Sequence, residues 1–412
     1  MARIAFLIIL ISYCAFADGG SNYSAFGIGD IRYNNGAAFS GQGGVSAAIP
    51  SKNHINLRNP ALWSKAENTI LQFGYSFNQG FANVNSQTNY QTTSSIDGFL
   101  LLFSIDSSLG IAASMGLYEY SDVSFRVSSE FSQGIDGTSV SGQLIQNGDG
   151  GLNTAYVGAS IEPIKGLSIG IMGNYTFGSI EKQRETIFNE QFRFYNGYRR
   201  TDALFGSNIR AGIYYEIIDN LSIGGFLETS TNFQLESKRL FVTNFNVDSL
   251  EDKSNSYDLP QMLGGGVSYK YGRKRFGVDL WTRDFSDFGY SSNIDDPSNY
   301  SSSNGIKLGF VREGNNNLGA KLLDNTTFRL GAGLTNLYYE FNGNQISEYY
   351  FSGGFSAKIG AKSNFDYSLV FGSRGENTSP LINETFIRMN FNVSIRETWF
   401  VPFKRGYDDL ED

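Results

Sequence analysis

Apolar and polar residues alternate along much of this chain with a period of two. Near the end, Ile387, Met389, Phe391, Val393 and Ile395 fall on one face, and Arg388, Asn390, Asn392 and Ser394 on the other. Leu221, Ile223, Gly225 and Leu227 oppose Ser222, Gly224, Phe226 and Glu228 in the same way, and Phe276, Val278 and Leu280 oppose Gly277, Asp279 and Trp281. So do Phe328, Leu330, Ala332 and Leu334 against Arg329, Gly331, Gly333 and Thr335. A strand turns successive side chains to opposite faces, so each run predicts a strand with one face in an apolar medium and one in a wet interior. The runs are about 10 to 14 residues long, enough for a tilted strand to cross an outer membrane.

Short and long connections separate the runs. Short turns centre on Asp106-Ser107-Ser108, Pro163-Ile164-Lys165, Asp219-Asn220, Gly272-Arg273-Lys274 and Lys362-Ser363-Asn364, with a longer one at 313–325. Seven polar stretches, at 81–93, 120–150, 179–202, 232–257, 285–303, 338–347 and 375–383, read as solvated loops rich in Ser, Asn, Asp and Gly. Thirteen such connections join about fourteen strands, and the short/long asymmetry is that of a barrel with a periplasmic and an outer end. The predicted fold is all-β: an antiparallel transmembrane barrel over 69–400. A soluble exported sandwich would share the polar loops, but the persistent apolar faces and the aromatic residues near strand ends favour the barrel.

The amino terminus fits export. Arg3, an apolar run from Ile4 to Ile11 and Ala15-Phe16-Ala17 read as a cleaved signal over 1–17, the apolar part being too short to span a bilayer as a helix. Composition then narrows the chemistry. The formal net charge is −8, which disfavours nucleic acid as a partner. The single Cys (Cys14) and single His (His54) remove disulfides and His/Cys metal clusters, so no metal or cofactor is expected. An enzyme is not expected either: His54 is the one candidate base of the usual kind, and no Gly-x-Ser-x-Gly elbow accompanies it.

Fourteen strands enclose more space than their own side chains fill. Residues 18–68 are a candidate plug. They carry glycines and alanines that permit close packing, and apolar residues Phe26, Ile28, Phe39, Val45 and Ile49 as possible ligand-lining groups. The run Gly36-Ala37-Ala38-Phe39-Ser40-Gly41-Gln42-Gly43-Gly44-Val45-Ser46-Ala47-Ala48, followed by Asn59-Pro60-Ala61, resembles the hatch of the FadL/TodX-type outer-membrane transporters of hydrophobic compounds. The stretch from Asp258 to Lys270 and that from Gly277 to Phe285 are similar to a hairpin in the second half of that family. The ending Arg396-Glu397-Thr398-Trp399-Phe400, with Gly372-Ser373-Arg374-Gly375, looks like the Bacteroidota branch; the polar acidic tail 401–412 departs from the family's aromatic ending.

The resemblance implies an integral protein of the Gram-negative outer membrane. Its expected function is passive uptake of long-chain fatty acids or hydrocarbons through a plugged barrel with sideways release. Its expected partners are membrane lipid and hydrophobic small molecules. The alternative is a FadL-like structural or accessory subunit of an outer-membrane assembly or secretion complex, with other outer-membrane proteins as partners. In the lumen, Arg210, Arg283, Arg329 and Arg388 are candidates to meet a carboxylate or to pair with Glu216, Glu228 and Asp279.

Overall fold

The computed structural model describes residues 20–399, apart from 34–35, 85–86, 136–137, 189–194, 244, 291–298, 316–320, 342 and 377–381. The candidate signal 1–17 and the tail 401–412 lie outside the described residues. After β1 (Asp30–Ile31) and α1 (Ala37–Gly41) come β2 (Thr69–Val84), β3 (Gln87–Asp106), β4 (Ile111–Ile135), β5 (Thr138–Ile164), β6 (Leu167–Phe188) and β7 (Tyr195–Ile218). Then follow β8 (Leu221–Glu228), β9 (Thr231–Thr243), β10 (Val247–Leu259), β11 (Met262–Tyr271), β12 (Lys274–Arg283), β13 (Asn299–Tyr300) and β14 (Ser303–Arg312). Helix α2 (Leu322–Asn325), β15 (Thr327–Phe341), β16 (Asn344–Lys358), β17 (Ser363–Arg374) and β18 (Asn383–Glu397) complete the order.

The wall is a closed antiparallel barrel of 14 strands. The pairs β8/β9, β10/β11 and β13/β14 each form one interrupted wall strand; the second interruption falls at Pro260, which has no N–H to give the ladder. The seam is complete: β18 pairs with β2 from Asn383↔Asn83 to Glu397↔Thr69. Alternation holds through the membrane. Leu280, Leu330 and Phe351 are exposed on the outer face, while Asp279, Arg329 and Ser352 are buried inside. Lipid solvates the outer set, so the apolar belt needs no further cover. Among the described residues no helix is long and apolar enough to cross a membrane; the crossing elements are strands.

The stretches read as loops at 120–150 and 232–257 are largely strand: β4 runs to Ile135 and β5 begins at Thr138, and β9 and β10 fill the second stretch. Beyond the lipid belt the outward face no longer has to be apolar, so the two-residue signal fades although the ladder continues. Six strands, β4–β7, β9 and β10, therefore stand past the belt as a curved sheet at the long-loop end.

Candidate functional site

Described residues 20–68 lie inside the barrel, fastened to inward side chains of many strands. Asn59 caps the 3-10 turn Pro60–Lys65: its side chain accepts from the Ala61 N–H, while its Nδ2 donates to the carbonyls of Ala47 (2.7 Å) and Ile213 (2.9 Å). The wall makes room with glycine. A Cβ at Gly170 would stand 2.5 Å from the Pro60 carbonyl carbon, one at Gly212 2.1 Å from Asn59 Oδ1, and one at Gly224 1.9 Å from the Ala47 oxygen. The Asn59-Pro60-Ala61 motif is thus the foot on which the inner segment seats against β6, β7 and β8.

Of the apolar candidates, Ile28 is fully buried in the large core, and Phe26 packs edge-on to Phe341 at 4.6 Å and beside Tyr339 at 5.3 Å. Val45 and Ile49 fill the space left by Gly277, and Val45 also that left by Gly309. Phe39 and Ile49 line a 540 Å³ cavity at the short-turn end, shared with charged groups that include Lys65, Glu162, Glu216 and Arg275.

The lumen charges are nearly all engaged. Glu228 sits between Arg210 and Arg283, the latter at 2.5 Å. Asp279 accepts the backbone N–H groups of Ser46 (2.6 Å) and Ala47 (2.8 Å). Glu216 lies 3.4 Å from Lys65 at the short-turn end, and Arg329 donates to Ser356. Arg388 lies over the Phe386 ring at 5.4 Å. His54 joins inner segment to wall through Nε2 and Asp366 Oδ1 (2.9 Å). Its Nδ1 meets Ser51 Oγ at 2.9 Å, but that oxygen already accepts the Asn53 and His54 N–H groups, so the trio closes a turn and anchors it.

Several inner cations were not among the expected residues, and three of them tie the inner segment to the wall. Lys182 donates to the Ala25 carbonyl at 2.5 Å. Arg374 holds Asp30 (3.0 Å) and Glu384 (2.8 Å). Arg32 acts where the wall itself is incomplete. The β3–β4 ladder stops at Gly98↔Tyr118; beyond it β3 stays paired with β2 as far as Gln87, and β4 with β5 as far as Ile135, but not with each other. Into this gap run residues 20–33. Ser21 N–H donates to Ser124 O (2.9 Å), β1 pairs Asp30↔Asp122 and Ile31↔Ser121, and Arg32 N–H donates to Tyr120 O (2.8 Å). The Arg32 guanidinium then spans the gap, reaching Glu119 on β4 (2.6 Å), Asp97 on β3 (3.3 Å), Ser95 (2.9 Å) and, on β2, Ser76 (2.8 Å).

Burial disfavours that charge, yet Glu119 and Asp97 outweigh it and hold Arg32 above its usual value. Arg58, buried beside Arg210, is instead pushed down to about 10. It rests on the Phe226 ring at 5.2 Å.

A family model described as BamG matches residues 1–408. The chain belongs to the BamG family. No curated protein is a sequence relative of it. Among solved structures, this BamG-family barrel is similar to the toluene transporter TodX of Pseudomonas putida (14% identity, 90% of this chain and 99% of that one, TM-score 0.62). It is also similar to the monoaromatic hydrocarbon channel CymD (15%, 89% and 99%, TM-score 0.61) and to a Pseudomonas aeruginosa FadL homologue (11%, 90% and 100%, TM-score 0.61). These likenesses establish the shared fold. With its apolar belt, the BamG-family chain is an integral outer-membrane protein.

Proposed function

We propose that this barrel is a non-catalytic, passive passage for hydrophobic compounds such as long-chain fatty acids or hydrocarbons, with residues 18–68 as its plug and sideways release into the bilayer. The observation that carries this reading is the β3–β4 gap, whose lower end is flanked by the exposed lipid-facing residues Ile96, Phe99 and Leu117. An apolar solute leaving there gains about 25 cal/mol for each Å² it withdraws from water. The described state is shut: the spaces of 80 and 20 Å³ between the inner segment and the outer half of the wall are too small for such a solute. Strains lacking the gene, with and without the restored protein, test the reading through uptake of a labelled long-chain fatty acid or toluene. Restored uptake supports it, and uptake equal in both strains counts against it.

A second reading, an accessory subunit of an outer-membrane assembly, is favoured by a different observation. Six strands continue past the lipid belt as a polar-edged sheet, and an aromatic core that includes Tyr23, Phe285, Phe288, Tyr338 and Tyr339 fills the long-loop end. The acidic tail 401–412 would then be a handle for a partner. Isolation from native membranes in mild detergent should recover stoichiometric partner proteins under this reading, and a solitary barrel under the first.

A further inference from the structure

We propose that Arg32 is the latch of the wall: a single cation, carried by the inner segment, that holds two opposed carboxylates together where the backbone ladder is missing. At the β18–β2 seam, by contrast, neighbouring strands are joined along their whole length by main-chain hydrogen bonds that no side-chain change removes. Between β3 and β4, above Gly98 and Tyr118, the connection is made by side chains and by the inserted strand β1. Asp97 stands on one bank and Glu119 on the other, both close to Arg32 and little exposed. Ser95 Oγ donates to Glu119 Oε2 at 2.8 Å and shares a 3.0 Å hydrogen bond with Ser76, so the serines extend the same network. Asp122, beside β1, adds a third carboxylate.

Take the cation away and the two carboxylates lose the charge that links them; whether they then repel or take up protons, nothing at this level draws the banks together. The backbone attachments of residues 20–33 to β4 would remain, and farther up the gap Gln91 on β3 would still hold Asn22 (2.6 Å) and the Arg126 carbonyl of β4 (3.2 Å). Arg32 joins the strap to the β3 bank at Asp97 and Ser95. The gap would therefore open along β3 between Gly98 and Gln91 while the strap stays on β4. This role is independent of what passes through the barrel; that the opened gap serves as an exit rests on the passage reading above.

The test uses the exported protein in outer-membrane vesicles; the one Cys of the sequence, Cys14, falls in the candidate signal 1–17, and Cys14→Ser removes its thiol from any unprocessed chain. Thr93→Cys, at a buried position on β3 two residues from Ser95, reports on the β3 bank through its labelling rate with a bulky maleimide. Adding Arg32→Ala should raise that rate by about tenfold or more, as expected when a local opening loses its ion pairs. Arg32→Lys should restore most of the wild-type rate. Heat-modifiable gel mobility verifies that each variant is a folded barrel. Equal labelling with and without Arg32, in folded protein, overturns the latch.

A second arm separates the latch from the passage. Ile31→Cys with Ser121→Cys, register partners on β1 and β4, should form a disulfide that fixes the strap. Toluene uptake is then compared among wild type, Arg32→Ala and the oxidised and reduced lock. Faster uptake in Arg32→Ala, together with uptake that oxidising the lock leaves unchanged because the strap stays on β4 in either state, supports both proposals. If labelling rises in Arg32→Ala while uptake is unchanged in every variant, the latch stands and the passage reading fails.

Discussion

Two junctions in this wall are closed by different means. At the seam, β18 and β2 are zipped over their whole length by main-chain pairs. At the gap, β3 and β4 share a ladder only between Gly98 and Asp106 on one side and Ile111 and Tyr118 on the other, and the remainder is closed by a strap that begins elsewhere in the chain. A ladder depends on no particular side chain and resists mutation. The strap depends on the inner segment being seated and on side-chain contacts, among which Arg32 is the guanidinium that meets carboxylates on both banks, which makes it the part of the wall that a ligand, a partner or a substitution can change.

The largest effect should follow from unseating the inner segment. Gly224→Val places a Cβ 1.9 Å from the Ala47 carbonyl oxygen, a clash with backbone that no side-chain movement relieves, so its cost lies well above the ~1–3 kcal/mol of ordinary overpacking. Limited proteolysis should release fragments from residues 20–68 while the heat-modifiable barrel band persists. Loss of the barrel together with the segment would show that the two junctions are not separable. Next, Glu228→Ala leaves Arg210 and Arg283 buried without their shared carboxylate, a loss of roughly 3–5 kcal/mol. The expected readout is a lower thermal midpoint for heat-modifiability, with Glu228→Gln intermediate.

Arg32→Ala ranks third for stability, since its side chain keeps some exposure and screening discounts its ion pairs to roughly 1 kcal/mol each. Its signature is local opening of the gap. The smallest effect belongs to the seam side: Asn390→Ala removes a 2.9 Å hydrogen bond to Ser368, worth about 1 kcal/mol, and should leave labelling at Thr93→Cys unchanged. A rise in labelling there would erase the contrast between the junctions.

The membrane part of this architecture was legible because lipid imposes a constraint on each outward position. Phe276, Val278 and Leu280 had to alternate with Gly277, Asp279 and Trp281, and they do so as exposed and inward residues. Past the belt that constraint vanishes, so polar stretches in β4, β5, β9 and β10 resembled loops although they are paired strands. Asn59-Pro60 announced a turn from its residues alone. That it seats on Gly170, Gly212 and Gly224 depends on strands more than 100 positions away, which no local pattern encodes. Arg32 was missed for the same reason. Its partners Asp97 and Glu119 are separate inward acids on two strands, and only the end of the β3–β4 ladder brings a cation between them.

The contrast between the junctions is tested most directly by amide hydrogen exchange on the folded protein in lipid, comparing residues 20–33 and 119–124 with the seam at 383–397. In the wild type both regions should be protected, and Arg32→Ala should speed exchange in 20–33 and 119–124 while leaving 383–397 as it was. Rapid exchange of 20–33 in the wild type, or identical profiles with and without Arg32, would contradict a wall held shut at this point by the strap.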